Sequence, residues 1–320
     1  MDNLSVTNRF FYVAPTEDKK NNLTAPANGN IKVETNNNSY NYSITTYSPQ
    51  NDTYPNYGII FLGGAWHNVR NYNDYFTSIA EDGAKVVAIP YPGHEGAPKI
   101  SKKAFKDISL YDYATATAEN IAEIIRSDPT RKWVIVAHSM GSLVAKEALA
   151  DLHKNNTDLF DTNIAGVLLQ QPAGPKFRAG AIMAGFFVSQ IPKLPSKEVK
   201  ATDRQISNMF FNGGLPPVGF NLQSEPLNVV IGCIGAVLKY KRSEGFFGKL
   251  VYVFEADQDN VVSAGTGGDI ISFCDKKQQP CFLKTVEGGH EYAVTKPKEA
   301  ATFTVGFLDF LIEQKRTKQK

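Results

Sequence analysis

The chain has 320 residues, 42% of them hydrophobic and 21% charged, which is the balance of a globular protein with a sizeable core. Its length suits one α/β domain that carries an inserted subdomain. A formal net charge of +2 excludes the strongly basic surface a polyanion would need, so no nucleic-acid partner is expected.

Residues 1–30 read as a polar extension, without the basic and apolar regions of a signal peptide. Asn36-Asn37-Asn38 then marks a turn between two strands, 31–34 and 40–47, which form a hairpin on the sheet edge. The apolar run Tyr57-Gly58-Ile59-Ile60-Phe61-Leu62 is a buried strand ending in Gly63-Gly64-Ala65-Trp66-His67. A helix over 72–81 and a buried strand over 85–89 follow, then the loop Pro90-Tyr91-Pro92-Gly93-His94-Glu95-Gly96. An amphipathic helix covers 111–126 and stops at Asp128-Pro129. The next buried strands begin at Trp133 and cover 165–169, the latter ending at Gln170-Gln171-Pro172.

From 173 to 248 the alternation of strand and helix breaks. This stretch is rich in Gly, Pro, Phe and Met, with helices predicted over 179–190, 203–211 and 228–240. Alternation resumes with a strand over 250–254, a helix near 268–274, a strand over 281–286 and a closing helix over 298–314. Strands separated by helices imply a mostly parallel sheet covered on both faces. The expected organisation is a core of 31–172 and 249–314, a mainly helical cap inserted at 173–248, and a solvated basic tail at 315–320.

The longest apolar stretches, 179–191 and 229–238, are too short to span a bilayer. Three cysteines (Cys233, Cys274 and Cys281) cannot all pair, which favours a reducing compartment and a cytoplasmic location. Cys and His show no metal-ligand spacing, and neither a metal nor an organic cofactor is expected.

The chemistry centres on Ala137-His138-Ser139-Met140-Gly141, between the Trp133 strand and a helix with Leu143, Val144, Ala148 and Leu149 on one face. A serine on so tight a strand-to-helix turn needs small residues two positions away on each side, and Ala137 and Gly141 supply them. A serine hydroxyl also needs a base to take its proton and an acid to orient that base. Of five histidines, His290 directly follows a late strand, so it would join Ser139 at the carboxyl ends of the strands. His138 sits inside the elbow, His94 suits a turn or packing role, His67 follows the Gly63-Gly64 loop, and His153 lies late in a helix.

The segment Phe254-Glu255-Ala256-Asp257-Gln258-Asp259-Asn260-Val261-Val262 offers three carboxylates. Asp259 is preferred to Asp257 because the apolar pair after it would bury the turn, while Glu255 is still close to the strand. The resulting chain order is Ser, Asp, His. Oxyanion donors are expected from the N–H of Met140 and from the Gly63-Gly64-Ala65 turn.

With these residues in place, the chain resembles the α/β-hydrolase fold superfamily, and within it the lysophospholipase- and monoacylglycerol-lipase-like serine hydrolases. The resemblance rests on Ala137-His138-Ser139-Met140-Gly141, on Asp259-Asn260-Val261-Val262 and on Gly289-His290-Glu291. The loop Pro92-Gly93-His94-Glu95-Gly96 is similar to that family's structural Gly-His-Gly turn. The resemblance implies Ser139 as nucleophile, Asp259 as acid, His290 as base, the Met140 N–H as an oxyanion donor and Gly64 or Ala65 as the second donor. One departure is Leu62-Gly63, where the family has His-Gly.

The expected activity is hydrolysis of a small-molecule carboxylic ester through an acyl-serine. Ile182, Met183, Phe186, Phe187 and Val188 would offer an apolar wall in the cap. The same triad would serve a thioesterase or small-amide hydrolase. A non-catalytic binding protein on this fold is the reading from another class, and the intact Ser139, Asp259 and His290 set argues against it.

Overall fold

The computed structural model describes residues 31–176, 198–240 and 246–318. The 1–30 extension, the helix expected over 179–190 with its apolar wall, and the last residues of the basic tail lie outside them.

Eight strands form one sheet: β1 (Ile31–Asn37), β2 (Ser43–Pro49), β3 (Tyr57–Leu62), β4 (Lys85–Ile89), β5 (Lys132–His138), β6 (Ile164–Gln170), β9 (Leu250–Ala256) and β10 (Cys281–Val286). Their order is β1-β2-β4-β3-β5-β6-β9-β10. Neighbours from β4 to β10 run parallel, while β2 pairs antiparallel with both β1 and β4. The predicted hairpin is therefore the sheet edge, and Asn38 accepts from the N–H groups of Tyr40 and Tyr42 through its side chain to close the turn.

Alternation along the central strands feeds two cores. Ile60, Leu62, Ile135, Ala137, Val167 and Leu169 face one layer, and Ile59, Phe61, Val134, Val136 and Leu168 face the other. The first face is covered by α3 (Leu110–Ser127), α4 (Gly141–Asn155) and α8 (Thr266–Lys276), and the second by α1 (Asn73–Glu81) and α9 (Pro297–Lys318). α3 begins one residue earlier than its periodicity suggested because Ser109 and Asp112 close a capping box there. Two short helices, α2 (Lys102–Asp107) and α5 (Thr157–Asn163), were not expected.

β6 pairs directly with β9, so the chain between them leaves the sheet and returns without disturbing its register. That intervening segment carries a two-stranded ladder, β7 (Glu198–Val199) with β8 (Glu225–Pro226). It also carries α6 (Asp203–Phe210) and α7 (Leu227–Lys239), close to the expected helices over 203–211 and 228–240. Its side chains Val199, Met209, Phe210, Leu222 and Val230 bury against Trp66 and Val261 of the sheet domain. Among the described residues, no helix is long and apolar enough to cross a membrane.

Candidate active site

Register places the candidate residues on one rim. Leu62 of β3 lies opposite Ala137 of β5, His138 opposite Gln170, Gln170 opposite Phe254, and Ala256 opposite Val286. The segments that leave these strand ends are Gly63–Ala65, Ser139, Asp257–Asp259 and the loop before His290.

Ser139 sits at the β5–α4 turn with φ +54, a left-handed conformation that a non-glycine residue adopts at an energetic cost. The turn is held from both sides: Ser139 N–H donates to Gln170 O at 2.9 Å, and Ser139 O accepts from Ser142 N–H and Oγ–H and from Ala173 N–H. A Cβ at Gly141 would lie 2.6 Å from Gly63 O and 2.7 Å from Leu62 O, so glycine is required at that flank. Ala137 is fully buried in β5, where its single methyl joins the core.

The three residues singled out by chain order meet. His290 Nε2 is 2.8 Å from Ser139 Oγ, and His290 Nδ1 is 2.8 Å from Asp259 Oδ2. These partners assign the tautomer: Nδ1–H faces the carboxylate, and Nε2 accepts the serine proton. The other Asp259 oxygen accepts the N–H groups of Val261 and Val262 at 2.8 and 2.9 Å, which fixes the carboxylate in its turn. Asp257 is exposed and accepts Gly288 N–H, while Glu255 Oε2 accepts Gly267 N–H near the start of α8. Burial pulls the His290 pKa down, but the Asp259 charge and hydrogen bond, with the Glu291 charge, carry it above the usual histidine value.

The two proposed second oxyanion donors separate. Gly64 N–H donates to Tyr72 Oη at 3.3 Å, whereas the N–H groups of Ala65 and Met140 have no acceptor among the described residues. The space there is tight: a Cβ on Gly64 would lie 3.1 Å from Ser139 Cβ and 3.0 Å from His138 Nδ1. Met140 also leads into α4, whose N-terminal end favours negative charge.

His138, His67 and His94 form a buried layer beneath this rim. His138 Nδ1 accepts the Tyr72 hydroxyl proton at 2.8 Å, and its Nε2–H donates to His290 O at 3.0 Å. Burial pushes its pKa down to about 3, so it is neutral. His67 Nδ1 donates to Ala65 O at 2.7 Å, and its Nε2 lies 3.0 Å from Glu291 Oε1. Burial raises the Glu291 pKa, but His67, His138 and His290 together hold it down at about 2. His94 is buried against Glu225, and His153 stacks on Phe247 at 4.4 Å, away from the rim.

Atoms of His138, His290 and Glu291 lie within 4.8 Å of one another, a spacing that could hold a metal ion. Both nitrogens of His138 and of His290 are already committed to the partners above, which leaves neither ring a lone pair for a metal.

A profile described as the alpha/beta hydrolase family matches residues 59–283. The chain belongs to the α/β-hydrolase family. No curated protein matches its sequence. Solved structures similar to this α/β-hydrolase chain include that reported for LipS and LipT, two metagenome-derived lipolytic enzymes, at 13% identity over 79% of this chain and 94% of that one, with TM-score 0.54. The thioesterase domain from the curacin biosynthetic pathway is similar at 12% identity over 86% and 99%, with TM-score 0.55. The monoacylglycerol lipase of Paleococcus ferrophilus is similar at 13% identity over 80% and 96%, with TM-score 0.54. At these identities the likeness is one of fold.

Sequence reasoning missed Tyr72 and Glu225 altogether, and quoted Glu291 without giving it a role. Tyr72 and Glu225 carry no local pattern, since each acts on residues far away in the chain. Glu291 had one signal, its place directly after His290.

Proposed function

We propose that this α/β-hydrolase is a serine esterase that cleaves carboxylic esters of apolar acids through an acyl-serine intermediate, in the manner of lysophospholipases and monoacylglycerol lipases. The observation that carries the reading is the continuous hydrogen-bonded chain from Ser139 through His290 to Asp259.

Ser139 Oγ attacks the ester carbonyl carbon while its proton passes to His290 Nε2. Asp259 holds the imidazole and stabilises the imidazolium. The N–H groups of Met140 and Ala65 receive the negative charge that develops on the carbonyl oxygen. His290 then protonates the departing alcohol, and water, activated by the same ring, releases the acid. None of these steps needs a metal or organic cofactor.

The segment 173–248 serves as a cap in this reading. Phe210, whose ring centroid is 5.7 Å from that of His290, brings apolar surface next to the base and supports an apolar acyl group. The free thiols of Cys233, Cys274 and Cys281 support a reducing, cytoplasmic setting. Thioester hydrolysis is the second reading, favoured by the likeness to a thioesterase domain. The triad serves both, because a thiolate leaves more readily than an alkoxide.

The test is labelling with a fluorophosphonate probe and mapping of the labelled peptide, with Ser139→Ala alongside. Labelling at Ser139 that disappears in the variant supports the reading. Turnover of p-nitrophenyl esters and matched acyl thioesters of rising chain length then separates the two substrates. A well-folded protein that takes no label would overturn the hydrolase assignment.

A further inference from the structure

We propose that Glu225, from the segment between β6 and β9, is the positioning residue that shapes the oxyanion turn. The inference rests on the hydrolase reading above and adds to it: the segment over the site completes the catalytic apparatus as well as covering it.

Glu225 is fully buried, and its partners come from the sheet domain. Oε1 accepts the backbone N–H of Trp66 at 2.7 Å and lies 3.1 Å from His94 Nε2. Oε2 accepts the Tyr113 hydroxyl proton at 2.8 Å. His94 Nδ1 in turn donates to His67 O at 3.0 Å, so both ring nitrogens of His94 point at oxygen. A carboxylate buried this deeply needs both charge and hydrogen-bond compensation, and His94, Trp66 and Tyr113 supply it.

The position being held is unusual. Trp66 has φ +66, a conformation that a bulky aromatic residue keeps only when its surroundings impose it. The intervening segment grips it at three points. Glu225 takes its N–H, Gln223 N–H donates to its carbonyl at 2.7 Å, and its indole Nε1–H donates to Val199 O at 3.2 Å. Val199 and Glu225 are paired across β7 and β8, so one small ladder holds both the backbone and the side chain of Trp66.

The consequence falls on Ala65. The peptide group joining Ala65 to Trp66 is clamped at both ends: its N–H by Glu225, and its carbonyl by His67 Nδ1 at 2.7 Å. The preceding peptide, which carries the Ala65 N–H, is held through its own carbonyl, since Gly64 O accepts the His67 N–H at 3.4 Å. Donors fixed before the reaction stabilise a developing oxyanion without reorganising at the moment of attack. A charged acceptor suits the clamp because its hydrogen bond to the Trp66 N–H is roughly twice as strong as that of a neutral one.

The experiment uses the full chain as wild type, Glu225→Gln, Glu225→Asp and Tyr113→Phe. Competent sites are counted by fluorophosphonate titration. For each protein, kcat per titrated site, KM, and the affinity of an arylboronic acid, which forms a tetrahedral adduct on the serine, are then measured. Removing an oxyanion donor outright costs about 10²–10³-fold in turnover, and a misaimed donor is expected to cost about 10–100-fold. Glu225→Gln should therefore lower kcat and boronate affinity together while KM stays level. Tyr113→Phe, which removes a bond from the same carboxylate but not from the turn, should turn over near the wild-type rate per site.

Glu225→Asp keeps the charge but, one methylene shorter, draws the carboxylate back from the Trp66 N–H. It should show the same kcat-specific loss, and it carries the test if Glu225→Gln does not fold. Wild-type turnover per titrated site in whichever variant folds, with only the number of sites reduced, would overturn the proposal and leave Glu225 a packing residue. A wild-type protein that takes no label at Ser139 would remove the hydrolase reading and this inference with it, so the two failures are distinguishable.

Discussion

His138, the residue before Ser139, donates its Nε2 proton to the main-chain carbonyl of His290 at 3.0 Å. The neighbour of Ser139 therefore anchors the backbone of the histidine whose Nε2 faces the Ser139 hydroxyl. The same ring takes the Tyr72 proton, and Tyr72 takes the Gly64 N–H, so one buried chain links the turn after β3 to the loop after β10.

His138→Phe keeps the ring volume but strands the His290 carbonyl and the Tyr72 hydroxyl. Leaving buried groups unsatisfied costs about 1–3 kcal/mol each. The variant should show a lower urea midpoint with an unchanged slope, and Tyr72→Phe, which strands the Gly64 N–H and His138 Nδ1, a comparable loss. An undiminished midpoint in His138→Phe would show that the chain does not contribute to stability.

The acid assignment is decided by two substitutions. Asp259→Asn should reduce turnover by about 10⁴-fold, the scale on which a serine hydrolase loses activity when its histidine is held in the wrong tautomer. Asp257→Asn, on an exposed side chain that bonds only the Gly288 N–H among the described residues, should stay near the wild-type rate. The reverse result would move the acid to Asp257.

The rate should depend on pH through His290. The ring must be neutral to accept the Ser139 proton, and Asp259 and Glu291 hold its pKa above the usual 6.5 despite burial. Activity is then full at high pH and falls as the pH drops through that raised value. Measured as the rate of fluorophosphonate labelling, the acid limb should lie above pH 6.5, and Glu291→Gln should move it downward. A limb at or below 6.5 in the wild type would contradict the electrostatic account of this site.

Stability should move with pH through a different histidine. His138 is held neutral with a pKa of about 3, below its unfolded value of 6.5. The unfolded chain thus binds more protons across that interval, and the contribution, present above pH 6.5, is lost as the pH falls toward 3. Glu291, at about 2 against an unfolded 4.5, adds a further loss below 4.5. His94 has the opposite sign: its pKa is raised, so its contribution is present in acid and lost as the pH rises through the folded value. The melting temperature should therefore decline steadily from pH 6.5 to 4, and His138→Phe should flatten that decline. An equally steep decline in the variant would assign it to other groups.

The parts of this site that were legible in the sequence are those whose requirements are local. The elbow needs small residues at fixed offsets, and Ala137 and Gly141 stand there. Ser139, Asp259 and His290 could be singled out as candidates because each stands within four residues of the end of a predicted strand. Glu225 was not legible, because an acidic residue in an irregular stretch looks solvated until tertiary contacts bring His94, Tyr113 and Trp66 around it. Helix α2 was missed for a related reason: it has no buried residue and thus no apolar period to detect. The choice between Gly64 and Ala65 depended on the Tyr72 hydroxyl, a contact over eight residues that no spacing rule encodes.

The direct pairing of β6 with β9 also bears on how this protein could be re-engineered. A foreign segment transplanted between Gln170 and Leu250 would leave the strands in register, and the chimera would assemble its sheet. It would nevertheless lose the moorings of Trp66 unless the graft restored the Val199 carbonyl, the Gln223 amide and the Glu225 carboxylate. Exchanging that segment to alter selectivity therefore requires carrying three anchor points along with the new binding surface.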